Sequence, residues 1–240
     1  MTTFTLITGA TSGLGKEVAI ELSKDNRLVL IGRDKKKLEE VLSRINGIHK
    51  ILCLDFKKTK HIKEDLKKFL SEENIFINKV IHCAGVDYNL PVKSIDTESF
   101  DETMRVNFFS IVEILSVLLS YSVNKSKLEN ILFISSISSI KGFKAKGVYS
   151  VSKASLDAYM KVLSKELAPS ICVNSILPGA LPSPMSEVTF NDTKFVKNLE
   201  KESPLGIGSI DEVVKVIKFY HDHNLWVTGQ QIIVDGGFSS

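Results

Sequence analysis

The sequence predicts an α/β fold: a single doubly wound parallel sheet with helices on both faces. Two observations carry that reading. Short runs rich in Val, Ile and Leu alternate with segments of helical periodicity along the whole chain, the pattern of parallel strands joined by right-handed helical crossovers. The first such strand also runs directly into a glycine-rich turn and a helix. With 240 residues, 43% of them hydrophobic and 25% charged, the chain has material for a large core. No internal repeat, low-complexity segment or linker divides it. Residues 1–240 are therefore read as one domain.

Phe4 to Thr8 is the first strand, and Gly9-Ala-Thr-Ser-Gly13-Leu-Gly15 follows at once. Lys16 to Lys24 then shows helical spacing, with Val18, Ala19 and Leu22 apolar. This order suits a phosphate. Glycines permit a tight turn and close approach, and the helix N-terminus supplies free N–H groups and a positive dipole end. The bland alternative is a plain glycine-rich loop. Leu28 to Ile31 is the second strand, ending in Gly32-Arg33-Asp34, where such a fold meets the adenosine ribose of a dinucleotide. A carboxylate at the strand tip would take the 2′-hydroxyl of NAD. Here the tip is Gly32 and Arg33 follows, and a guanidinium suits a 2′-phosphate. Asp34 is read as the cap of the next helix, Lys35 to Ile45.

Lys50 to Leu54 is a third strand, ending at Asp55, which is placed to meet an adenine. His61 to Leu70 reads as an amphipathic helix. Val80 to Cys83 is the fourth strand and runs into Ala84-Gly85, small residues that let the backbone pass close to a ribose. Ser99 to Tyr121 reads as one long helix containing Asn107. Its apolar half, Phe108 to Val123, points to a subunit interface. Ile131 to Ser135 is a strand, Val148 to Leu167 a helix and Ile171 to Ile176 a strand. Three prolines between Pro178 and Pro184 then break regular structure. Residues from about 183 to 208 read as a substrate lid, either an apolar pocket with a basic mouth or a solvated helix. Asp211 to His221 is a helix, and Gln231 to Asp235 is a last strand closed by Gly236-Gly237.

The chemistry concentrates between Ser136 and Lys153. Tyr149 and Lys153 are four apart, so on a helix they share a face. A free tyrosine titrates at about 10, and a neighbouring ammonium favours the phenolate. Such a pair exchanges a proton with a substrate oxygen. Ser136 ends an apolar strand, at the sheet edge where open α/β sheets place ligands. Alone, the pair reads more readily as a half-buried tyrosine beside a solvated lysine. Ser138 and Ser139 are alternatives to Ser136.

Composition narrows the classes. Net charge is +3, too small to argue for nucleic acid, and the basic stretch Lys57 to Lys68, with Lys60 inside it, reads as a solvated helix face. Cys53, Cys83 and Cys172 form no Cys-x-x-Cys pair, so no metal site or disulfide framework is expected. His221 and His223 read as a surface helix end. No apolar run reaches about 18 residues, so no membrane helix is expected, and the default location is cytoplasmic.

Taken together, these motifs resemble the short-chain dehydrogenase/reductase family over essentially the whole chain. The family's Thr-Gly-x-x-x-Gly-x-Gly matches Thr8 to Gly15, and its Tyr-x-x-x-Lys matches Tyr149 and Lys153. Its catalytic Ser, thirteen before the Tyr, matches Ser136, and its catalytic Asn matches Asn107. Pro178-Gly179 and Ser183 match Pro-Gly-x-x-x-Thr with Ser for Thr, and Val227 to Gly237 also looks like the family's ending. The family's Asn-Asn-Ala-Gly reads His82-Cys83-Ala84-Gly85 here, so two amides are lost while the Ala-Gly backbone contact can stay. The chain looks one residue short between Ala168 and Asn174, and Cys172 stands where an Arg is common in the 3-oxoacyl-acyl-carrier-protein reductases, the best-known relatives.

The resemblance implies a Rossmann fold and NADP(H) in preference to NAD(H). It implies a cofactor set of Gly9, Thr11, Ser12, Gly13, Leu14, Gly15, Arg33, Asp55, Phe56, Cys83, Ala84, Gly85, Asn107, Tyr149, Lys153, Pro178, Gly179, Leu181 and Ser183. Tyr149 is expected to donate the proton, Ser136 to hold the carbonyl oxygen, Lys153 to bind the ribose and lower the Tyr149 pKa, and Asn107 to hold a relay water. The expected substrate is a small carbonyl or alcohol, free or carrier-bound, such as a 3-oxoacyl thioester. A sugar or secondary-metabolite ketone and a non-catalytic NADP-binding regulator are the alternatives. A homo-oligomer, dimer or tetramer, is expected.

Overall fold

The computed structural model describes residues 2–58, 61–223 and 226–240; Lys60 of the basic stretch lies outside them. Seven parallel strands form one sheet: β1 (Thr3–Thr8), β2 (Leu28–Gly32), β3 (Lys50–Cys53), β4 (Phe76–His82), β5 (Asn130–Ile134), β6 (Cys172–Pro178) and β7 (Gln231–Val234). Their spatial order is β3-β2-β1-β4-β5-β6-β7. The order reverses between β1 and β4, which opens a crevice at their carboxyl ends.

Side chains alternate across the sheet. Phe4 and Leu6 of β1, with Ile131 and Phe133 of β5, pack on one face against α3 (Ile62–Glu73), α5 (Ser110–Leu118) and α7 (Gly147–Glu166). Ile7, Leu132 and Ile134 face the other way, onto α1 (Gly13–Leu22), α2 (Lys35–Leu42) and α10 (Ile210–Asp222). A strand buried on both faces reads as continuous apolar sequence, as these do.

Several elements differ from the sequence reading. The long helix from Ser99 to Tyr121 is broken into α4 (Thr97–Met104), a π-helical turn at Arg105–Phe109, α5, and a separate short α6 (Tyr121–Asn124). The π-turn adds one residue to the helical repeat and carries Asn107 inward. Residues 183–208 contain two helices, α8 (Glu187–Phe190) and α9 (Thr193–Glu202). His221 is not a surface residue: it is 1% exposed, with Nε2 2.9 Å from Thr5 Oγ1 and Nδ1 2.7 Å from Asp222. Asp34 caps α2 as expected, accepting from the Lys37 N–H at 3.2 Å.

Candidate active site

A cavity of about 730 Å³ opens over the carboxyl edge of the sheet at the β1/β4 reversal. Its floor begins at the glycine loop. Gly9 has φ +68°, and a Cβ there would lie 2.8 Å from the Ala84 backbone. Gly15 packs α1 onto the loop so closely that a Cβ would meet the Gly9 carbonyl oxygen at 2.4 Å. Ser12, the residue before α1, is extended and its hydroxyl makes no capping bond, so the N–H groups of the first turn stay available. That is the chemistry a pyrophosphate needs.

The same cavity is lined by Thr11, Ser12, Gly13, Leu14, Arg33, Asp55, Phe56, Cys83, Ala84 and Gly85 at its glycine-loop end. Ser136, Tyr149, Lys153, Pro178, Gly179, Leu181 and Ser183 line its other end. Asn107 does not line it. It sits one layer behind, fully buried, with Oδ1 accepting from the Val86 N–H at 2.8 Å and Nδ2 donating to Val86 O and Ser152 Oγ. Cys83 is chemically quiet, because burial pushes its thiol up to about 12.

Ser136 lies just beyond the end of β5, and its hydroxyl is close enough to the Tyr149 hydroxyl to pull that group's pKa down. Its own oxygen accepts from the Ser138 N–H at 3.1 Å, which fixes the rotamer. Lys153, 3% exposed, donates to the Ile134 carbonyl at 2.8 Å, and its Nζ lies 5.6 Å from the Tyr149 ring centre. Burial lowers the Lys153 ammonium to about 8. The Tyr149 hydroxyl differs from the sequence expectation. Burial and then the Asp87 carboxylate raise its pKa well above 10, and only the nearby Ser136 hydroxyl opposes them. The lysine does not reverse this, because its ammonium is turned to Ile134.

Sequence reasoning missed several lining residues. Asp87 forms a short ion pair with Lys146, whose side chains are 9% and 20% exposed, and leaves its Oδ1 buried without a partner. Phe143 stacks on Phe238 at 6.0 Å, and Phe190 meets Phe195 edge-on at 5.9 Å. The second pair is legible in the sequence, where Phe190 and Phe195 stand out as apolar side chains of residues 183–208, so it is not among those missed. Nothing local signalled Asp87 or Phe238, which reach the cavity only through the fold.

Comparison with known proteins matches this geometry. A family model described as enoyl-(acyl carrier protein) reductase, one of those for the short-chain dehydrogenases/reductases, matches residues 9–239. The chain is a short-chain dehydrogenase/reductase. This short-chain dehydrogenase/reductase is 30% identical to an uncharacterized oxidoreductase of Staphylococcus epidermidis over 186 residues, 77% of this chain and 80% of that one. It is 29% identical to the 3-oxoacyl-[acyl-carrier-protein] reductase of Thermotoga maritima over 239 residues, 97% of this chain and 96% of that one. Among solved structures, 4-hydroxyisoleucine dehydrogenase complexed with NADH superposes on the short-chain dehydrogenase/reductase with a TM-score of 0.89. That match covers 100% of this chain and 99% of the other at 22% identity. Family membership makes it an NAD(P)-dependent oxidoreductase. No helix among the described residues is long and apolar enough to cross a membrane.

Proposed function

We propose that the protein interconverts a carbonyl and a secondary alcohol with NADP(H). One observation carries this: Ser136, Tyr149 and Lys153 converge on the cavity that the glycine loop opens. The nicotinamide, when bound, supplies the hydride chemistry. Ser136 donates a hydrogen bond to the carbonyl oxygen and holds it beside Tyr149. Tyr149, kept protonated at neutral pH by burial and Asp87, is poised to give its proton to that oxygen. Lys153 binds the cofactor ribose beneath it. Asn107 acts from behind, tying Val86 to Ser152 and so setting the wall beside Lys153.

NADP(H) is favoured by the exposed Arg33, with Lys37 also facing the cavity. Asp34, the nearby carboxylate, is engaged by the α2 N-terminus. For the substrate, the walls of Phe143, Phe238, Phe190, Phe195 and Met185 favour a carbonyl on an apolar chain, as in a 3-oxoacyl thioester. The Asp87–Lys146 pair favours the second reading, a hydroxyl-bearing ketone such as a sugar derivative. The exposed apolar Phe109, Leu119 and Tyr121, with Val151 and Val162 of α7, support a homo-oligomer.

The test is oxidation of NADPH and NADH against an acetoacetyl thioester, a diketone, a cyclic ketone and a keto-sugar nucleotide. Tyr149→Phe runs alongside, and turnover is expected to fall about 10²–10⁴-fold in it. Wild-type turnover in the Phe variant would remove Tyr149 from the mechanism.

A further inference from the structure

His82 and Cys83 stand where the family motif carries two asparagines. His82 bonds to two residues, and both sit one layer behind the cavity. Its Nδ1 lies 2.8 Å from Thr8 Oγ1, and its Nε2 lies 3.1 Å from the backbone carbonyl of Asn107. Thr8 Oγ1 also accepts from the Ala84 N–H at 3.1 Å. Thr8, His82 and Asn107 are each 0% exposed.

The proton positions follow from the partners. A carbonyl only accepts, so Nε2 must carry a hydrogen. Burial, with the Lys153 ammonium nearby, lowers the ring to about 3 and keeps it neutral. Nδ1 is then bare and accepts from the Thr8 hydroxyl, which itself accepts from Ala84. The result is one directed chain, from Ala84 N–H through Thr8 and His82 to the Asn107 carbonyl. It joins the ends of β1 and β4 to the π-turn. A neutral imidazole and a carboxamide offer the same pair of one acceptor and one donor.

We infer that His82 is a positioning residue that takes over from the missing amide, holding the Asn107 π-turn and the Ala84-Gly85 wall in register across the cofactor cleft. The π-turn shifts the helical carbonyl row by one residue. Asn107's carbonyl takes its bond from His82, while its side chain grips Val86 and Ser152, next to Lys153. Loss of the imidazole's polar atoms would leave that buried carbonyl and the Thr8 hydroxyl short of a partner. The turn would relax, and Lys153 and Val86 would move with it. The groups facing the ring are Thr8 from β1, Asn107 from the π-turn, Phe133 edge-on at 6.4 Å from β5, and Lys153 from α7.

Two measurements test this, and only the kinetic one rests on the proposed reaction. In histidine-¹⁵N-labelled protein, His82 resonances are assigned by their loss in His82→Asn. The ring should show the neutral Nε2–H tautomer, unchanged from about pH 5 to pH 9. A proton on Nδ1, or titration near 6.5, overturns the relay. In the kinetic arm, His82→Asn should keep NADPH affinity and turnover within about 3-fold. A folded His82→Phe, similar in bulk but without donor or acceptor, should lose about 10–100-fold in turnover with KM changed less. Equal losses in both variants, or none in the Phe variant, overturn the positioning role. If wild type reduces no carbonyl tested, the reaction assignment fails alone, and NADPH affinity must show the same order of Asn above Phe. His82→Leu replaces the Phe variant should that not fold, and the tautomer measurement on wild type decides in either case.

Discussion

Lys153 shows how a single residue can trade stability for chemistry. Its folded pKa of about 8 lies below the ordinary 10.5. Between those values the unfolded chain binds more protons, so stability rises with pH across that window. Below it, both states are charged and the full cost of burying the ammonium stands, roughly 3 kcal/mol. Lys153→Met is therefore expected to abolish turnover and yet raise the melting temperature at pH 7 by several degrees. The gain should shrink between about pH 8 and 10.5, where wild type sheds its proton. Calorimetry across pH checks it, and a variant that melts below wild type at pH 7 refutes it. The Tyr149–Lys153 spacing was readable from sequence, because i and i+4 share a helix face. The direction of the Tyr149 shift was not, because it is set by burial and then by Asp87, 62 residues away in sequence.

Among the elements, α1 is the most legible and the helix through Asn107 the least. Strand, glycines and helix are adjacent in sequence, so their geometry is local. Gly15→Ala should force α1 off the Gly9 carbonyl, since the added Cβ would stand 2.4 Å from it. Overpacking of this kind costs about 1–3 kcal/mol. We expect a lower melting temperature and at least a tenfold weaker NADPH affinity by fluorescence titration. An Ala variant that binds as wild type would mean the loop shifts freely. The Asn107 helix misleads because apolar periodicity is nearly blind to one inserted residue. Phe108 to Val123 reads as part of one helix that is apolar nearly all round, while the backbone places a π-turn, α5 and α6 there. The inserted turn is stabilised from outside its own sequence, by a histidine on a strand 25 residues earlier.

At the scale of the whole molecule, the cavity gathers residues from Gly9 to Phe238. Its glycine-loop end could be read because each motif follows its own strand. Phe143, Phe238 and Asp87 at its other end could not, because they come together only after the sheet is assembled. Phe238 also receives Lys141 over its ring at 4.1 Å and stacks on Phe143, so Phe238→Ala should open the substrate end. An aromatic pair is worth about 0.5–1.5 kcal/mol, so KM for the carbonyl should rise roughly 2–10-fold while NADPH affinity holds. A weakened NADPH affinity with unchanged KM would assign Phe238 to the cofactor instead. The sheet order carries one more consequence, for synthesis. β7 is the edge partner of β6, and Gly179 at the end of β6 lies against Asp235 just beyond β7. At about 5–20 residues per second, a ribosome delivers β1 and its glycine loop tens of seconds before β7. Until then β6 presents a bare edge to other nascent chains, and the cleft lacks a wall. The cavity is therefore complete only when nearly all of the sequence has been translated.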